Sequence, residues 1–256
     1  MKILRFMDNG ASRVGILDGD TVYDAGTDLF GSLERGRAVG SLDALMMLPP
    51  VAPRMIVAVG KNYSDHIAEM ARGGDATLPE EPVLFLKPPT ALLPHGGEIR
   101  MMPGTRTDYE AELCMVIGRE AHRVAEADAF DYVLGYTCGN DVSNRGVTGQ
   151  SGQWTRGKGY DTFCPLGPVI ETELDPNHLR IQSRLNGEVR QNTTIDTMIF
   201  KPAFLVSFIS NVMTLLPGDV IMTGTPEGVS TLTPGDTIEV ELEGIGTLRN
   251  RVVARE

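Results

Sequence analysis

Two glutamates stand two residues apart in the run Tyr109-Glu110-Ala111-Glu112-Leu113-Cys114-Met115-Val116-Ile117. Side chains on a strand alternate between its faces, so Glu110 and Glu112 share one face, roughly 7 Å apart. Cys114 and Val116 continue that face while Leu113, Met115 and Ile117 line the other, so both faces read as buried. Two like charges on a buried face are costly unless something positive lies between them, and a hard divalent cation suits such oxygen ligands. The plainer alternative is a strand end with two solvent-facing glutamates. Asp141, in Cys138-Gly139-Asn140-Asp141-Val142-Ser143, adds weight to a site, because it follows the apolar strand expected over 133–137 and function concentrates where core strands end.

His66 and Glu69 are three residues apart, so on a helix they share a face and can hydrogen-bond. Glu69 would then orient the imidazole and support His66 as a general base toward water. A surface contact between neighbouring turns is the plainer reading. Glycines at 73 and 74 follow closely and would let the short segment close over a substrate. Lys158 is flanked by Gly157 and Gly159, which permit close backbone approach to a ligand or simply a surface loop. His95, His122 and His178 lie in polar stretches and read as surface residues.

The formal charge of −11 repels phosphate backbones, which argues against a nucleic-acid partner. It also repels anionic substrates at long range, so an acid substrate needs local positive charge or a metal. No apolar run approaches the roughly 18 residues that span a bilayer, and the N-terminus lacks a signal-peptide pattern. Cys114, Cys138 and Cys164 are an odd, widely spaced set, which argues against a disulfide framework or zinc ribbon and for a reducing cytoplasm.

The elements that must carry these groups are mostly strands. Residues 2–6, 13–17 and 21–23 form a meander broken by Asp8-Asn9-Gly10 and Asp18-Gly19-Asp20. Residues 42–48 suit one or two helical turns, and the prolines at 49, 50 and 53 mark a boundary. This divides the chain into a small N-terminal β unit over 1–50 and a larger unit over 51–256. Strands are expected at 55–59, 82–87, 109–118, 133–137, 168–172 and 220–223. Two hairpins follow, one across Asn186-Gly187 and one from 237–242 to 247–253. A short helix covers 66–70, and a longer one starts at Pro202 with Leu205, Phe208, Ile209 and Val212 at helical spacing. The strands do not alternate with long helices, which excludes a Rossmann sheet and a β/α barrel.

Several of these segments together resemble the fumarylacetoacetate hydrolase family. They are Gly60-Lys61-Asn62-Tyr63-Ser64-Asp65-His66-Ile67-Ala68-Glu69-Met70, Phe85-Leu86-Lys87-Pro88, Asp108-Tyr109-Glu110-Ala111-Glu112-Leu113, Gly139-Asn140-Asp141-Val142-Ser143 and Lys158-Gly159-Tyr160-Asp161, followed by Leu185-to-Gln191 and Gly218-to-Val229. Their order matches the family's over about residues 55–253. The resemblance implies a β-rich α+β fold with a mixed, rolled β-sheet, here carrying a small N-terminal β meander, and a homodimer. It implies Mg²⁺ or Mn²⁺ held by Glu110, Glu112 and Asp141, a catalytic His66–Glu69 pair, and Lys158 near the metal and substrate. Arg145 and Thr225 would contact substrate oxygens and Lys87 would line the pocket. Where many members have a second Asp and then Gln, this chain has Gly146 and Thr148, so a usual substrate-contacting amide is missing unless Gln150 or Gln153 replaces it.

The family's chemistry leaves several reactions on a small 2-oxo acid. Hydrolysis of a C–C bond in an acylpyruvate stands first, because the retained His66–Glu69 pair suits water activation. Decarboxylation of oxaloacetate and isomerisation of a 2-hydroxyhepta-2,4-diene-1,7-dioate pass through a similar enolate. A non-catalytic, metal-containing binding protein is the alternative from another class, disfavoured because every expected ligand and the dyad are present.

Overall fold

The computed structural model describes residues 1–71, 73–151 and 153–255, with only the backbone for 149–151. Its frame is two sheets. The larger has 12 strands, ordered Ala38–Gly40, Thr21–Asp24, Ala11–Asp18, Lys2–Asp8, Cys164–Glu171, Val133–Asn140, Ala111–Ile117, Val220–Met222, Ile56–Gly60 and Val83–Lys87, with Met46–Leu48 and Leu92–Leu93 attached beside this path. Most pairs are antiparallel. Val220–Met222 runs parallel to Ile56–Gly60, so the sheet is mixed, as the resemblance implies. The smaller sheet has five strands, ordered Glu188–Thr194, Arg180–Leu185, Thr237–Leu242, Gly246–Ala254 and Glu98–Met101. The Asn186-Gly187 turn joins two of them, with φ of 54° and 82°, the double positive φ that a two-residue hairpin turn with right-handed strand twist requires.

The strand Ala111–Ile117 runs through the middle of the large sheet and is buried along its whole length. Its side chains divide by parity. Leu113, Met115 and Ile117 enter one apolar cluster with Val57, Leu205 and Ile209. Cys114 and Val116 enter another with Ile56, Cys164 and Met222. Two buried faces explain why the run carries so few polar residues. The helix Pro202–Val212 starts on its proline as expected and turns Leu205, Val206 and Ile209 onto the first cluster. Burying each such side chain contributes about 1.5–3 kcal/mol. Val212, at the last turn, is exposed instead.

Two expectations change. The stretch 42–48 makes only a single 3₁₀ turn, Leu42–Ala44, and then the strand Met46–Leu48 against Arg5–Met7 of the first strand. Met46 is exposed while Met47 is buried, an alternation of period two that a helix would not give. His95 is half-buried rather than on the surface, and its Nδ1 accepts a hydrogen bond from the Arg249 N–H at 3.2 Å. Burial is the main cause that lowers its pKa. His122 and His178 are exposed. The N-terminal meander is hydrogen-bonded into the large sheet, Lys2 opposite Glu171 and Ile3 opposite Ile170. Leu4, Phe6, Val22 and Met47 join the same apolar cluster as the central strand. The three cysteines are free and buried. Among the described residues, no helix is long and apolar enough to cross a membrane.

Candidate active site

Register explains the convergence of the acidic residues. Ala111 pairs with Asn140 and Glu112 with Gly139, so Glu110, one residue before the strand, falls opposite Asp141. The Asp141 N–H donates to the Glu110 carbonyl at 2.9 Å, and the Asn140 side-chain oxygen accepts the Glu110 N–H at 3.0 Å. Glu110, Glu112 and Asp141 are all buried, and their candidate ligand oxygens lie within 4.8 Å of one another. Gly139 has no room for a side chain, since a Cβ there would come within 2.3 Å of Cys114 Sγ.

Cations surround this triad. Lys158 Nζ donates to Glu110 Oε2 at 2.6 Å and to Asp141 Oδ2 at 2.5 Å. Arg145 donates through one NH₂ to Glu110 Oε1 at 2.5 Å and through Nε to Asp108 Oδ2 at 2.9 Å. Burial by itself would raise the Glu110 carboxyl, but the Lys158 and Arg145 charges outweigh it and hold Glu110 well below the usual carboxylate range. The same carboxylates raise Lys158 above its ordinary value in spite of burial. Glu112 has a different environment. Its Oε2 accepts the Gly224 N–H at 2.8 Å, and no cation pairs with it among the described residues. Burial first, then Asp141 and Glu110, push its carboxyl well above the ordinary range. A divalent cation fits this donor set: three buried carboxylates in mutual reach, all hard oxygen donors, one of them lacking a positive partner.

His66 of the acid–base pair faces the same space. His66 sits in the helix Ser64–Ala71 and its Nδ1 is 3.2 Å from Glu69 Oε2. Glu69 is held in turn by the Gly228 N–H at 3.1 and 3.3 Å. Burial alone would raise the Glu69 carboxyl; the hydrogen bonds from His66 and from the Gly228 and Val229 backbone prevail and set it below its usual value. The helix is anchored from its entry. Asn62 donates to the Phe200 and Thr223 carbonyls and accepts the Phe200 N–H. A cavity of about 480 Å³ opens on His66, Glu110, Glu112, Arg145, Lys158 and Thr225 together.

Not every expected residue is where the sequence reading puts it. Lys87, expected along the pocket wall, is fully buried behind the site and donates to Asp141 Oδ1. It does not border the cavity. Thr148 does border it, but its hydroxyl donates to the Asn144 carbonyl at 3.2 Å. The side chain of Gln150 lies outside the described residues, and Gln153 is exposed and away from the cavity lining. Several positioning residues have no expectation behind them. Gln191 is buried and spans three elements: its Oε1 accepts from the Ala111 N–H and the Ser183 hydroxyl, and its Nε2 donates to Thr225 Oγ1 and the Pro226 carbonyl. Trp154 forms one wall and lies so close over Gly60 that a Cβ there would meet the indole at 1.8 Å. Asp108 and Arg106 sit beside Arg145. The segments holding Gln191, Gly60 and Asp108 were noticed only as motifs; their long-range partners leave no local signal.

Residues 55–253 match the family model described as fumarylacetoacetate (FAA) hydrolase, C-terminal. The oxaloacetate tautomerase YisK of Bacillus subtilis is 37% identical over 86% of this chain and 77% of its own. The crystal structure of 2-hydroxyhepta-2,4-diene-1,7-dioate isomerase from Mycobacterium marinum superposes with a TM-score of 0.90 at 40% identity, over 99% of this chain and 98% of that one. Maleylpyruvate hydrolase from Sphingobium sp. SYK-6, solved with manganese(II) and pyruvate, gives a TM-score of 0.81 at 30% identity, over 100% of each chain.

Proposed function

Since this chain belongs to the fumarylacetoacetate hydrolase family, we propose that it is an enzyme that moves a proton at the carbon next to a 2-oxo group, interconverting the keto and enol forms of a small 2-oxo dicarboxylate such as oxaloacetate. The observation that carries this reading is that His66, oriented by Glu69, borders the same cavity as Glu110 and Glu112 of the buried carboxylate triad. The kinship with an oxaloacetate tautomerase and a dioate isomerase supports it.

Glu110, Glu112 and Asp141 would hold Mg²⁺ or Mn²⁺, and the relative solved with manganese supports that assignment. When bound, such a cation acts as a Lewis acid that polarises the 2-oxo group and makes the neighbouring C–H acidic. The protein's own groups do the rest. His66 Nε2 takes the proton from carbon in the keto-to-enol direction and returns it in the other. Glu69 holds the opposite ring nitrogen, which sets the imidazole's orientation and tautomer. Lys158 and Arg145 keep Glu110 ionised and add positive charge facing an anionic substrate. Thr225, oriented by Gln191, offers a hydroxyl at the cavity wall.

Hydrolysis of an acylpyruvate, placed first on sequence grounds, is the second reading, favoured by the kinship with maleylpyruvate hydrolase. There His66 would deprotonate a water, the resulting hydroxide would add to the distal carbonyl, and C–C cleavage would release an acid and an enolate that takes up the proton from His66. The test is product analysis with Mn²⁺ present. Oxaloacetate should lose its enol absorbance without change of mass, faster than in buffer containing Mn²⁺ alone. Release of two acids from acylpyruvates with no acceleration of the oxaloacetate interconversion would install the hydrolytic reading instead.

A further inference from the structure

Asp108 is fully buried and accepts four hydrogen bonds on one carboxylate. Arg106 closes a fork on it, Nε to Oδ1 at 2.9 Å and NH₂ to Oδ2 at 2.8 Å. Arg145 Nε adds a third bond at 2.9 Å and Thr231 Oγ1 a fourth at 3.3 Å. The backbone joins the same two arginines, since the Arg145 N–H donates to the Arg106 carbonyl at 2.8 Å. Two guanidinium groups are thus held side by side by one acid, and both border the cavity that contains His66 and Glu112.

The two arginines are not equivalent. Arg145 is tied at Nε to Asp108 and at NH₂ to Glu110, and its side chain is only 16% exposed. Arg106 is tied to Asp108 alone, and its side chain is 38% exposed. Its NH1 group has no partner among the described residues. A planar fork fixed along one edge by a buried carboxylate is pre-organised, so little side-chain entropy is lost when its other edge binds a carboxylate.

We propose that Arg106 reads the distal carboxylate of the substrate, and that Asp108 is the positioning residue that aims it. The enzyme then selects 2-oxo dicarboxylates over 2-oxo monocarboxylates. This inference deepens the proposed function and rests on its placement of a 2-oxo acid in this cavity. The geometry fits the demand set by composition: a protein of net charge −11 needs local positive charge to receive a dianion, and Arg106 is a guanidinium beside the triad that Glu110 does not engage.

The test compares Arg106→Gln and Arg106→Lys with the parent, all in Mn²⁺, using oxaloacetate and pyruvate, which share the 2-oxo acid head. Arg106→Gln should raise KM for oxaloacetate about 10- to 100-fold, the scale of a charge-assisted pair, with kcat within about threefold. The inhibition constant of pyruvate should stay within about threefold, and Arg106→Lys should fall between parent and Gln because it keeps the charge without the fork. Asp108→Asn, if it folds, should reproduce the same KM-against-kcat split. Calorimetry of pyruvate and 2-oxoglutarate binding separates this inference from the proposed function. A parent that prefers the dicarboxylate and an Arg106→Gln variant that does not would uphold the clamp even if oxaloacetate is not turned over. Turnover that survives with an unchanged KM overturns the clamp and leaves the proposed function standing. Equal weakening of pyruvate and dicarboxylate, or transfer of the effect to Lys61→Gln, a second cation lining the cavity, also overturns it.

Discussion

Glu112→Gln should make the metal-free protein more stable and shrink the stability that the protein gains from metal. Glu112 is 1% exposed, and burial with Asp141 and Glu110 beside it raises its carboxyl well above the ordinary range. Without a cation, the folded chain therefore keeps a proton that the unfolded chain has released. Between the unfolded pKa of about 4.3 and the higher folded one, the folded state binds more protons, so stability falls as pH rises through that window. At about 1.36 kcal/mol per pH unit, the cost at about pH 7.5 reaches at most about 4 kcal/mol. Glutamine copies the shape of the protonated acid, still accepts the Gly224 N–H and needs no proton. The metal-free variant should therefore melt above the parent at about pH 7.5 by up to about 15 °C, given roughly 2–4 °C per kcal/mol for a domain of this size. Near the unfolded pKa the difference should vanish. Saturating Mn²⁺ should add about 2.7 kcal/mol to the parent at a hundredfold excess over its Kd, and far less to the variant. Scanning calorimetry in chelator and in Mn²⁺, at about pH 5 and pH 7.5, reads all four arms. A variant that melts below the parent in chelator at the higher pH, or that gains as much from Mn²⁺, would refute the reasoning.

His66→Ala should lower kcat for oxaloacetate by about 10²- to 10⁴-fold while leaving Mn²⁺ affinity, measured by calorimetry, unchanged, because the residue is an acid–base group and not a ligand. Gly60→Ala places a methyl where the Trp154 indole lies 1.8 Å away, so it should cost about 1–3 kcal/mol in urea unfolding and raise KM as the cavity wall shifts. Gln191→Leu should cost about 1–3 kcal/mol for each buried group left without a partner, the Ala111 N–H foremost, and should lower activity as Thr225 loses its orientation, whereas Gln191→Glu should retain more stability by keeping the acceptor.

The acidic triad was legible in part from short-range rules, while its joining of Asp141 to the two glutamates came from the family resemblance. Alternation places Glu110 and Glu112 on one face, the apolar run around them announces burial, and Asp141 ends an adjacent apolar strand. The His66–Glu69 contact is likewise a local matter of helical spacing. The two hairpins and the helix from Pro202 follow from turn chemistry and periodicity. What the residues alone could not disclose depends on pairings across long separations. Gln191 acts on Ala111, 80 positions away, and Lys87 meets Asp141 across 54. Lys87 departs from what the family resemblance implies: it does not border the cavity but is buried against the Asp141 carboxylate. The short strand Met46–Leu48 was missed because three residues carry too little periodicity to choose between helix and strand.

The charges around the triad show why substrate and cation would favour each other. Asp108, Glu110, Glu112 and Asp141 are matched by Lys87, Arg106, Arg145 and Lys158. Were every acid ionised, the group would be neutral, and a buried neutral cluster has no long-range hold on a dianion. Because Glu112 is pushed toward its protonated form, the cation-free group carries a small positive excess. A divalent cation would release that proton and still leave the group more positive than before. Each step makes this one cavity more attractive to an acid, while the rest of the surface, at a net −11 for the chain, repels it. The cationic shell therefore serves two ends. It pairs with Asp108, Glu110 and Asp141 when no metal is bound, and it keeps the acidic residues from cancelling the metal's charge when one is.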